Sequence, residues 1–243
     1  ESASASTMVT INKADQLIVF GAAPVIAVGG SGSVSATGGG STSPVMFSSQ
    51  TGAVCSVHVT SGLVNGLTAG NCIIAANQAG DGDKYNAAAQ VTQNFSIGKA
   101  APTLALSGNG SSTFGYSVAF TATLSGSGAG STGFVVFRAD GDAISGCGNQ
   151  AVSANVASCS TSSLAGGVRS ITAAYSGDEN NQPATATAVS HTVTRASQTL
   201  SFAAQVPTFH ALVVGAGFAI NPLAVAGAAS SAVTYGVAPG GVC

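Results

Sequence analysis

Apolar and polar residues alternate with a period of two in several stretches of this chain. In "YSVAFTATL" (residues 116–124) every second residue is apolar: Tyr116, Val118, Phe120, Ala122 and Leu124. The stretch "QVTQNFSI" repeats the pattern at Val91, Phe95 and Ile97. Successive side chains of a β-strand point to opposite faces, so a period of two is typical of a half-buried strand. Both stretches are therefore predicted strands.

The chain as a whole is predicted to be an all-β protein. No clear 3.6-residue period is present, and glycine clusters interrupt the sequence every ~8–12 residues, as in β-sandwiches. Hydrophobic residues make up 45% of the sequence and charged residues only 6%. Disorder requires low hydrophobicity and high charge, so we expect this chain to fold.

Composition also limits the function. The six Lys and Arg residues are dispersed along the chain. Binding of phosphate backbones requires clustered cations, which argues against a nucleic-acid partner. No apolar run approaches the ~18 residues of a membrane helix, and residues 1–13 lack the pattern of a signal peptide.

Three similar junctions divide the chain. They read "VTINKADQLIVF" (9–20), "FSIGKAAPTLAL" (95–106) and "TVTRASQTLSF" (192–202). Each is a predicted strand, followed by a basic residue and an alanine, followed by a second predicted strand. Lys13, Lys99 and Arg195 occupy equivalent places about 90 residues apart, which is close to the ~100 residues of an immunoglobulin-sized sandwich.

This spacing predicts tandem β-sandwiches. Residues 14–98 and 99–195 are each expected to form one complete domain. Residues 1–13 resemble the closing strand of a preceding repeat, and residues 196–243 supply only part of a further domain. We expect the sequence to be a window on a longer array.

The cysteines fit the same division. Cys55 and Cys72 lie in the first predicted domain, and Cys147 and Cys159 lie in the second. Each pair is expected to form a disulfide between neighbouring strands, contributing ~3 kcal/mol for loops this short. Cys243 aligns with Cys55, and its expected disulfide partner would lie beyond the end of this window. A reactive or intermolecular thiol at Cys243 is the alternative. Paired cysteines indicate an oxidising compartment.

Two acidic stretches occur at equivalent positions before the predicted closing strands. They are "ANQAGDGDKY" (76–85) and "AAYSGDENNQ" (173–182). Asp81 and Asp83, with Asp15 near a junction, offer oxygen ligands of the kind that Ca²⁺ binds. We favour a turn, because Asp and Asn after Gly bond to their own backbone and stabilise loops. Calcium at Asp81 and Asp83 is the alternative, and no other cofactor is expected.

Further candidate sites have simpler interpretations. The G-x-G-x-x-G pattern at residues 128–133 joins strand to strand, which predicts a Gly-rich hairpin loop and not a dinucleotide site. His58, His191 and His210 have no acidic neighbour in sequence and are predicted to lie on strand faces. The stretch "RADGDA", with Asp140 and Asp142, predicts an Asp-Gly hairpin turn. No catalytic residues are predicted.

The sequence resembles bacterial Ig-like repeats. The stretch "VCSVHVTSGLVNGLTAGNCIIAANQAGDGDKYNAAAQVTQNFSIGKA" is similar to a repeat in which a cysteine-bearing strand pair precedes "G-D-x-x-Y-x-A". The stretch "ITAAYSGDENN" resembles the "A-x-Y-S-G-D-x-N" ending of a related group. The resemblance implies immunoglobulin-like β-sandwiches from large secreted or surface-anchored proteins, and it implies no catalytic residues.

We therefore expect a non-catalytic, extracellular segment of a stalk, adhesin or filament. Sheet edges are usually protected by charge, and this chain has little, which suggests self-association or contacts with neighbouring repeats. The alternatives are a module that binds a surface glycan or a host protein, and an accessory spacer of a secreted enzyme.

Overall fold

A computed structural model describes residues 10–128 and 130–198, and every regular element in these ranges is a β-strand. The all-β prediction is confirmed. Within the same ranges, no helix has the length and apolar character needed to cross a membrane. The strands form two β-sandwiches, both within the compact unit Glu1–Thr194. Cys243 and His210 lie outside the described residues.

The first sandwich contains nine strands. They are β1 Val19–Phe20, β2 Ile26–Ala27, β3 Ser31–Ser33, β4 Ala36–Thr37, β5 Val45–Ser49, β6 Cys55–Val57, β7 Leu63–Gly66, β8 Gly70–Gln78 and β9 Val91–Gly98. One sheet has the order β2-β9-β8-β5, a second has the order β3-β7-β6, and β1 pairs with β4. Strand β2 runs parallel to β9, whereas the other pairs are antiparallel.

The core of the first sandwich is made by alternate residues of these strands. In β9, Phe95 and Ile97 are buried while their neighbours face outward, as the period of two predicted. The most enclosed apolar residues come from both sheets, and they include Val64, Ile74, Cys55 and Cys72.

The second sandwich contains ten strands. They are β10 Thr103–Gly108, β11 Ser111–Thr113, β12 Val118–Ser125, β13 Phe134–Ala139, β14 Asp142–Ala143, β15 Gln150–Ala151, β16 Val156–Thr161, β17 Gly167–Tyr175, β18 Ala184–Thr185 and β19 Val189–Thr194. One sheet has the order β10-β12-β16 and the other is built around β11-β19-β17-β13-β14. Strands β11 and β19 are parallel, as β2 and β9 are in the first sandwich.

Strand β12 carries the predicted alternation into the second core. Val118, Phe120, Ala122 and Leu124 are all buried, and they pack with residues of β13 and β17. Tyr116 does not continue this row, because the strand begins at Val118. Its side chain is exposed, so the prediction that Tyr116 belongs to the buried set is wrong.

Two other local predictions need correction. The Gly-rich loop at residues 128–133 is not a hairpin, because β12 and β13 belong to different sheets and the loop crosses between them. The disulfides do not join strands that are neighbours in one sheet. Cys55 in β6 is bonded to Cys72 in β8 of the facing sheet, with the two Cα atoms 5.8 Å apart.

The second disulfide has a similar placement. Cys147 lies in the connection between β14 and β15, and it is bonded to Cys159 of β16 with a Cα–Cα distance of 5.5 Å. All four half-cystines are almost fully buried. Each bridge therefore lies inside the core of one sandwich and links its two layers.

Candidate functional site: the acidic turns and the joint between the sandwiches

Asp178 is the centre of the acidic turn in the second sandwich. Its Oδ1 atom accepts backbone N–H bonds from Asn180 (2.8 Å) and Asn181 (2.7 Å). Its Oδ2 atom accepts the backbone N–H of Thr132 (2.8 Å) and the hydroxyl of Tyr175 (2.9 Å). The carboxylate thus ties the turn after β17 to the loop before β13.

These contacts change the acidity of both titratable partners. Partial burial acts to raise the pKa of Asp178, but hydrogen bonds from Thr132, Asn181, Asn180 and Tyr175 outweigh it and lower the pKa below 3.8. Burial, together with the adjacent Asp178 carboxylate, raises the pKa of Tyr175 above its ordinary value of 10.0. Asp178 therefore acts as an ionised acceptor that organises a loop.

Asp81 has the same role on a smaller scale in the first sandwich. Its Oδ1 atom accepts the backbone N–H groups of Lys84 (2.6 Å) and Tyr85 (2.8 Å). These bonds lower the pKa of Asp81, with the one from Lys84 as the largest cause. Asp15 instead accepts a bond of 2.9 Å from the Asn86 amide.

In residues 10–128 and 130–198, no group of three or more His, Cys, Asp or Glu side chains is arranged to hold a metal ion. Calcium binding by Asp81 and Asp83 stays a prediction, for which titration is the test. The Asp81 side chain accepts the backbone N–H groups three and four residues after it, so it stabilises its own loop.

Each acidic turn also holds the junction that precedes its own sandwich. The Ala100 N–H donates to the Asn180 carbonyl (2.8 Å), and the Gln182 N–H donates to the Ala100 carbonyl (2.8 Å). In the first sandwich, Ala14 makes the same pair of bonds with Lys84 and Asn86, at 2.8 and 2.9 Å. Both alanines thus form an isolated parallel bridge to the turn.

The turn of the second sandwich also contacts the first sandwich directly. The Asn180 Oδ1 atom accepts the backbone N–H of Ala69 at 2.9 Å. The Lys99 ammonium donates to the Asp178 carbonyl at 2.5 Å. We call the contacts of this turn with Ala69, Lys99 and Ala100 the joint between the two sandwiches.

A close apolar approach completes the joint. A Cβ atom added at Gly128 would lie 2.6 Å from Cγ1 of Val28, which is closer than such atoms approach one another. Gly128 is therefore required by the packing of Val28 against the second sandwich. The Gly128 N–H donates to the side-chain carbonyl of Asn181 at 2.9 Å, so the loop and the turn are fixed together.

The sequence predicted the components of the joint without predicting that they meet. The junctions and the acidic turns were both recognised as recurring features. Their direct pairing, and the roles of Asn180, Val28 and Gly128, were missed. A usable signal was present, because every complete repeat carries both the Ala junction and the Gly-Asp turn.

His191 is fully buried, and its contacts are with neighbouring residues of the second sandwich. Its Nδ1 atom donates to the Asn109 carbonyl (2.5 Å), and its Nε2 atom lies 2.8 Å from the Ser112 hydroxyl. Its ring packs edge-on against Phe120. His191 lies on a strand, as predicted, whereas His58 lies in an exposed turn after β6 and that part of the prediction is wrong.

The predicted Asp-Gly hairpin is confirmed. Asp140 and Gly141 connect β13 to β14, and both have positive φ angles, 52° and 98°. This is the conformation required by the two-residue turns that match strand twist. The Asp140 carboxylate forms an ion pair of 2.9 Å with Arg169 on the neighbouring strand.

Comparison with known families assigns a class to the second sandwich. Residues 104–194 match the family model described as bacterial Ig-like domain (group 3). A search of curated proteins finds no match to the chain. The family match supports an Ig-like domain over these residues, in agreement with the β-sandwich observed there. Such domains are structural or surface-protein modules and are typically non-enzymatic.

Proposed function

We propose that this chain is a non-catalytic structural segment of an extracellular bacterial protein, in which consecutive Ig-like sandwiches form a stalk. The joint carries this proposal. Lys99 and Ala100 connect the sandwiches, and both are bonded to the turn of the second one. Ala100 is only 3% exposed and packs in the core of the first sandwich, so one residue belongs to both sandwiches.

The joint favours a stiff connection. Only residues 99–102 separate β9 from β10, and Pro102 is among them. Proline fixes its own φ angle and restricts the residue before it to extended conformations. A linker that is short, bonded at Ala100 and restricted at Pro102 has few ways to bend. A stalk needs this property, because it must hold a distal group away from a surface.

The proposal includes residues 14–98 as a second Ig-like domain. Their Ala14 bridge and Asp81 turn reproduce the Ala100 bridge and Asp178 turn of residues 99–195. Both sandwiches also enclose a disulfide. Disulfides persist in oxidising surroundings, which supports a location outside the cytoplasm.

Distance measurements between the sandwiches test the stalk. Spin labels are attached at Thr60→Cys and Ser162→Cys, both exposed, in a chain carrying Cys243→Ser. We expect a narrow distance distribution. The variants Asn180→Ala and Gly128→Ala are expected to broaden or shift it. Gly148→Ala is the control, because a Cβ at Gly148 meets nothing within 4 Å.

A broad distance distribution in the unmodified joint would contradict a stiff stalk and would favour independently moving domains.

The extracellular location of the chain is tested by a separate experiment. An antibody raised against the folded chain should label intact cells of the producing bacterium, or should detect the chain in the medium. Labelling only after cell lysis would contradict the extracellular part of the proposal.

A further inference from the structure

The sequence contains the Asn-Gly dipeptide twice, at Asn65–Gly66 and at Asn109–Gly110. Asparagine is among the thermolabile residues of proteins. A glycine after it has no Cβ atom, so the glycine nitrogen is accessible to the asparagine side chain. The fold places the two copies of this reactive sequence in very different surroundings.

The first copy is held in the middle of a sheet. Asn65 and Gly66 belong to β7, which is paired with β3 on one side and β6 on the other. The Gly66 N–H donates to the Gly30 carbonyl at 3.0 Å, and the Asn65 amide donates to the Ser56 hydroxyl at 3.4 Å. Gly66 is buried, and a Cβ atom there would lie 2.8 Å from the Ala27 carbonyl oxygen. The nitrogen of Gly66 is therefore engaged, and its backbone has no room to move.

The second copy lies between two strands. Strand β10 ends at Gly108 and β11 begins at Ser111, so Asn109 and Gly110 form the connection, and both are exposed. Within residues 10–128 and 130–198, the Gly110 N–H donates no backbone hydrogen bond. A Cβ atom at Gly110 would meet nothing within 4 Å. The backbone at Gly110 thus has the room to bring its nitrogen to the Asn109 side chain.

We infer that Asn109 is a site of spontaneous covalent modification, at which the asparagine is converted through a succinimide into aspartate and isoaspartate. The Gly110 nitrogen loses its proton and attacks Cγ of Asn109. A C–N bond forms, the bond from Cγ to the amide nitrogen breaks, and ammonia leaves. Water then adds to one carbonyl of the ring: opening at Cγ gives aspartate, and opening at the main-chain carbonyl gives isoaspartate. The sequence of steps consumes water only and involves no oxidation.

The main-chain carbonyl of Asn109 has a structural role that isoaspartate removes. It accepts the Nδ1–H of His191 at 2.5 Å, and the next carbonyl, that of Gly110, accepts the N–H of Thr192 at 2.9 Å. Two consecutive residues of β19 are thus matched to two consecutive carbonyls before β11. In isoaspartate the main chain is one carbon atom longer, and the former carbonyl of Asn109 becomes a carboxylate outside the main chain. The two bonds to β19 then no longer match.

The isoaspartate product is therefore expected to release β11 from β19. His191 is fully buried, and a carboxylate is costly to bury, so the new group turns toward water and His191 loses its acceptor. Strand β11 has only three residues and lies at the end of its sheet, with β19 beside it. Aspartate keeps the length of the main chain and both carbonyls, so it should leave β11 in place.

Peptide mapping by mass spectrometry of the full chain, incubated in mildly alkaline buffer, measures the conversion. We expect Asn109 to convert at least about tenfold faster than Asn65, because β7 must open first and every ~1.4 kcal/mol of opening free energy is a factor of ten. The rate at Asn109 should rise with pH, because the Gly110 nitrogen must lose its proton. In the reduced, urea-unfolded chain the two sites should convert at similar rates, which would attribute the difference to the fold.

Gly110→Ala is the matched variant for this measurement. The added Cβ atom meets nothing within 4 Å, so the fold should accept it. The same atom hinders the attack of the backbone nitrogen on Asn109. Conversion at Asn109 should therefore be several times slower in Gly110→Ala, while the rate at Asn65 stays unchanged.

Hydrogen exchange of the products tests the effect on β11. The aspartate and isoaspartate forms are separated by chromatography, and Asn109→Asp supplies the aspartate form directly. The N–H groups of Thr192 and Phe114, which donate to the carbonyls of Gly110 and Thr194, report on the contact between β11 and β19. Both should exchange faster in the isoaspartate form than in Asn109→Asp.

An Asn109 that stays intact in the folded chain, or that converts no faster than Asn65, would overturn the inference. Equal exchange at Thr192 and Phe114 in the two product forms would overturn its second part, the release of β11. The inference does not rest on the proposed function, because the chemistry takes place within one sandwich. Spin-label distances test the stalk, and peptide mapping tests the modification, so the two fail separately.

Discussion

The side chain of Asn180 in the second sandwich accepts a hydrogen bond of 2.9 Å from the backbone N–H of Ala69 in the first. This bond spans 111 positions in the sequence and joins two separate cores. Asn180 therefore belongs to a turn by its backbone and to the joint by its side chain.

Replacing Asn180 by alanine should remove this bond without altering the turn, whose backbone contacts remain. We expect the free energy of unfolding to fall by about 0.5–1.5 kcal/mol, the net value of one hydrogen bond. Urea unfolding followed by circular dichroism measures the change. Asn180→Asp keeps the acceptor oxygen and should lose less. Equal losses in the two variants would show that the bond to Ala69 contributes nothing.

The Asp178 turn should be the more costly of the two acidic turns to remove. Asp178→Ala leaves the backbone N–H groups of Thr132, Asn180 and Asn181 without their acceptor, whereas the Tyr175 hydroxyl can still donate to the Thr132 carbonyl at 2.8 Å. Losing a hydrogen bond to a charged group costs about 1.5–3 kcal/mol, and we expect a loss in this range or above it. Asp81→Ala removes bonds to only two backbone N–H groups, that of Lys84, which is exposed, and that of Tyr85, which is part-buried, so the melting temperature of this variant should fall less. The reverse order would contradict the assignment of Asp178 as the centre of its turn.

The lowered pKa of Asp178 makes stability depend on acid pH. The folded protein holds the ionised carboxyl more tightly than the unfolded chain, whose carboxyl has an ordinary pKa near 3.8. The stabilisation is therefore complete above about pH 5, and it is lost as the pH falls through 3.8 toward the folded pKa. Urea unfolding of the native protein between pH 2 and 6 should show this decline. The difference in the free energy of unfolding between the native protein and Asp178→Asn should become smaller toward pH 2. A difference that stays constant with pH would contradict the prediction.

Calcium separates the two interpretations of Asp81 and Asp83. If Asp81 serves the turn alone, its Oδ1 atom is already engaged by Lys84 and Tyr85. The melting temperature in millimolar calcium should then equal the melting temperature in EDTA. A calcium-dependent rise that disappears in Asp83→Asn would assign a metal site to this loop instead.

The two disulfides should stabilise their own sandwiches. Removing a bridge that closes a loop of this size costs about 3 kcal/mol in the chain-entropy model. Cys55 and Cys72 are 17 residues apart, and Cys147 and Cys159 are 12 apart, so the two losses should be similar. Calorimetry of the paired Cys→Ala variants should show one transition moving down while the other stays. Movement of both transitions by the same amount would indicate that the sandwiches unfold as one unit.

Sequence periodicity predicted the strands where one face is buried and the other is solvated. Strand β12 and strand β9 follow the alternation residue by residue, because burial selects every second side chain. Tyr116 is an exception, because Gly115, which has a positive φ angle, ends the preceding segment and the strand begins only at Val118. The alternation of apolar and polar residues alone does not show that the strand begins at Val118.

The contact between Ala69 and Asn180 was beyond the reach of sequence patterns for a different reason. Ala69 and Asn180 are far apart along the chain, and neither residue type is unusual in its position. The choice of sheet for β12 and β13 was similarly hidden, because a Gly-rich loop fits a hairpin and a crossover equally well. Pairing between distant segments is determined by the three-dimensional fold, and a single sequence carries no record of it.

The bridge at Ala100 also has a consequence for the order of folding. Its partners, Asn180 and Gln182, come about 80 residues later, so the linker reaches its final conformation only after they have emerged. At synthesis rates of about 5–20 residues per second, this delay is on the order of 4–16 seconds. During that interval the first sandwich can complete its own core while the linker is still unbonded. The orientation of one sandwich relative to the next is thus established late, by the domain that follows.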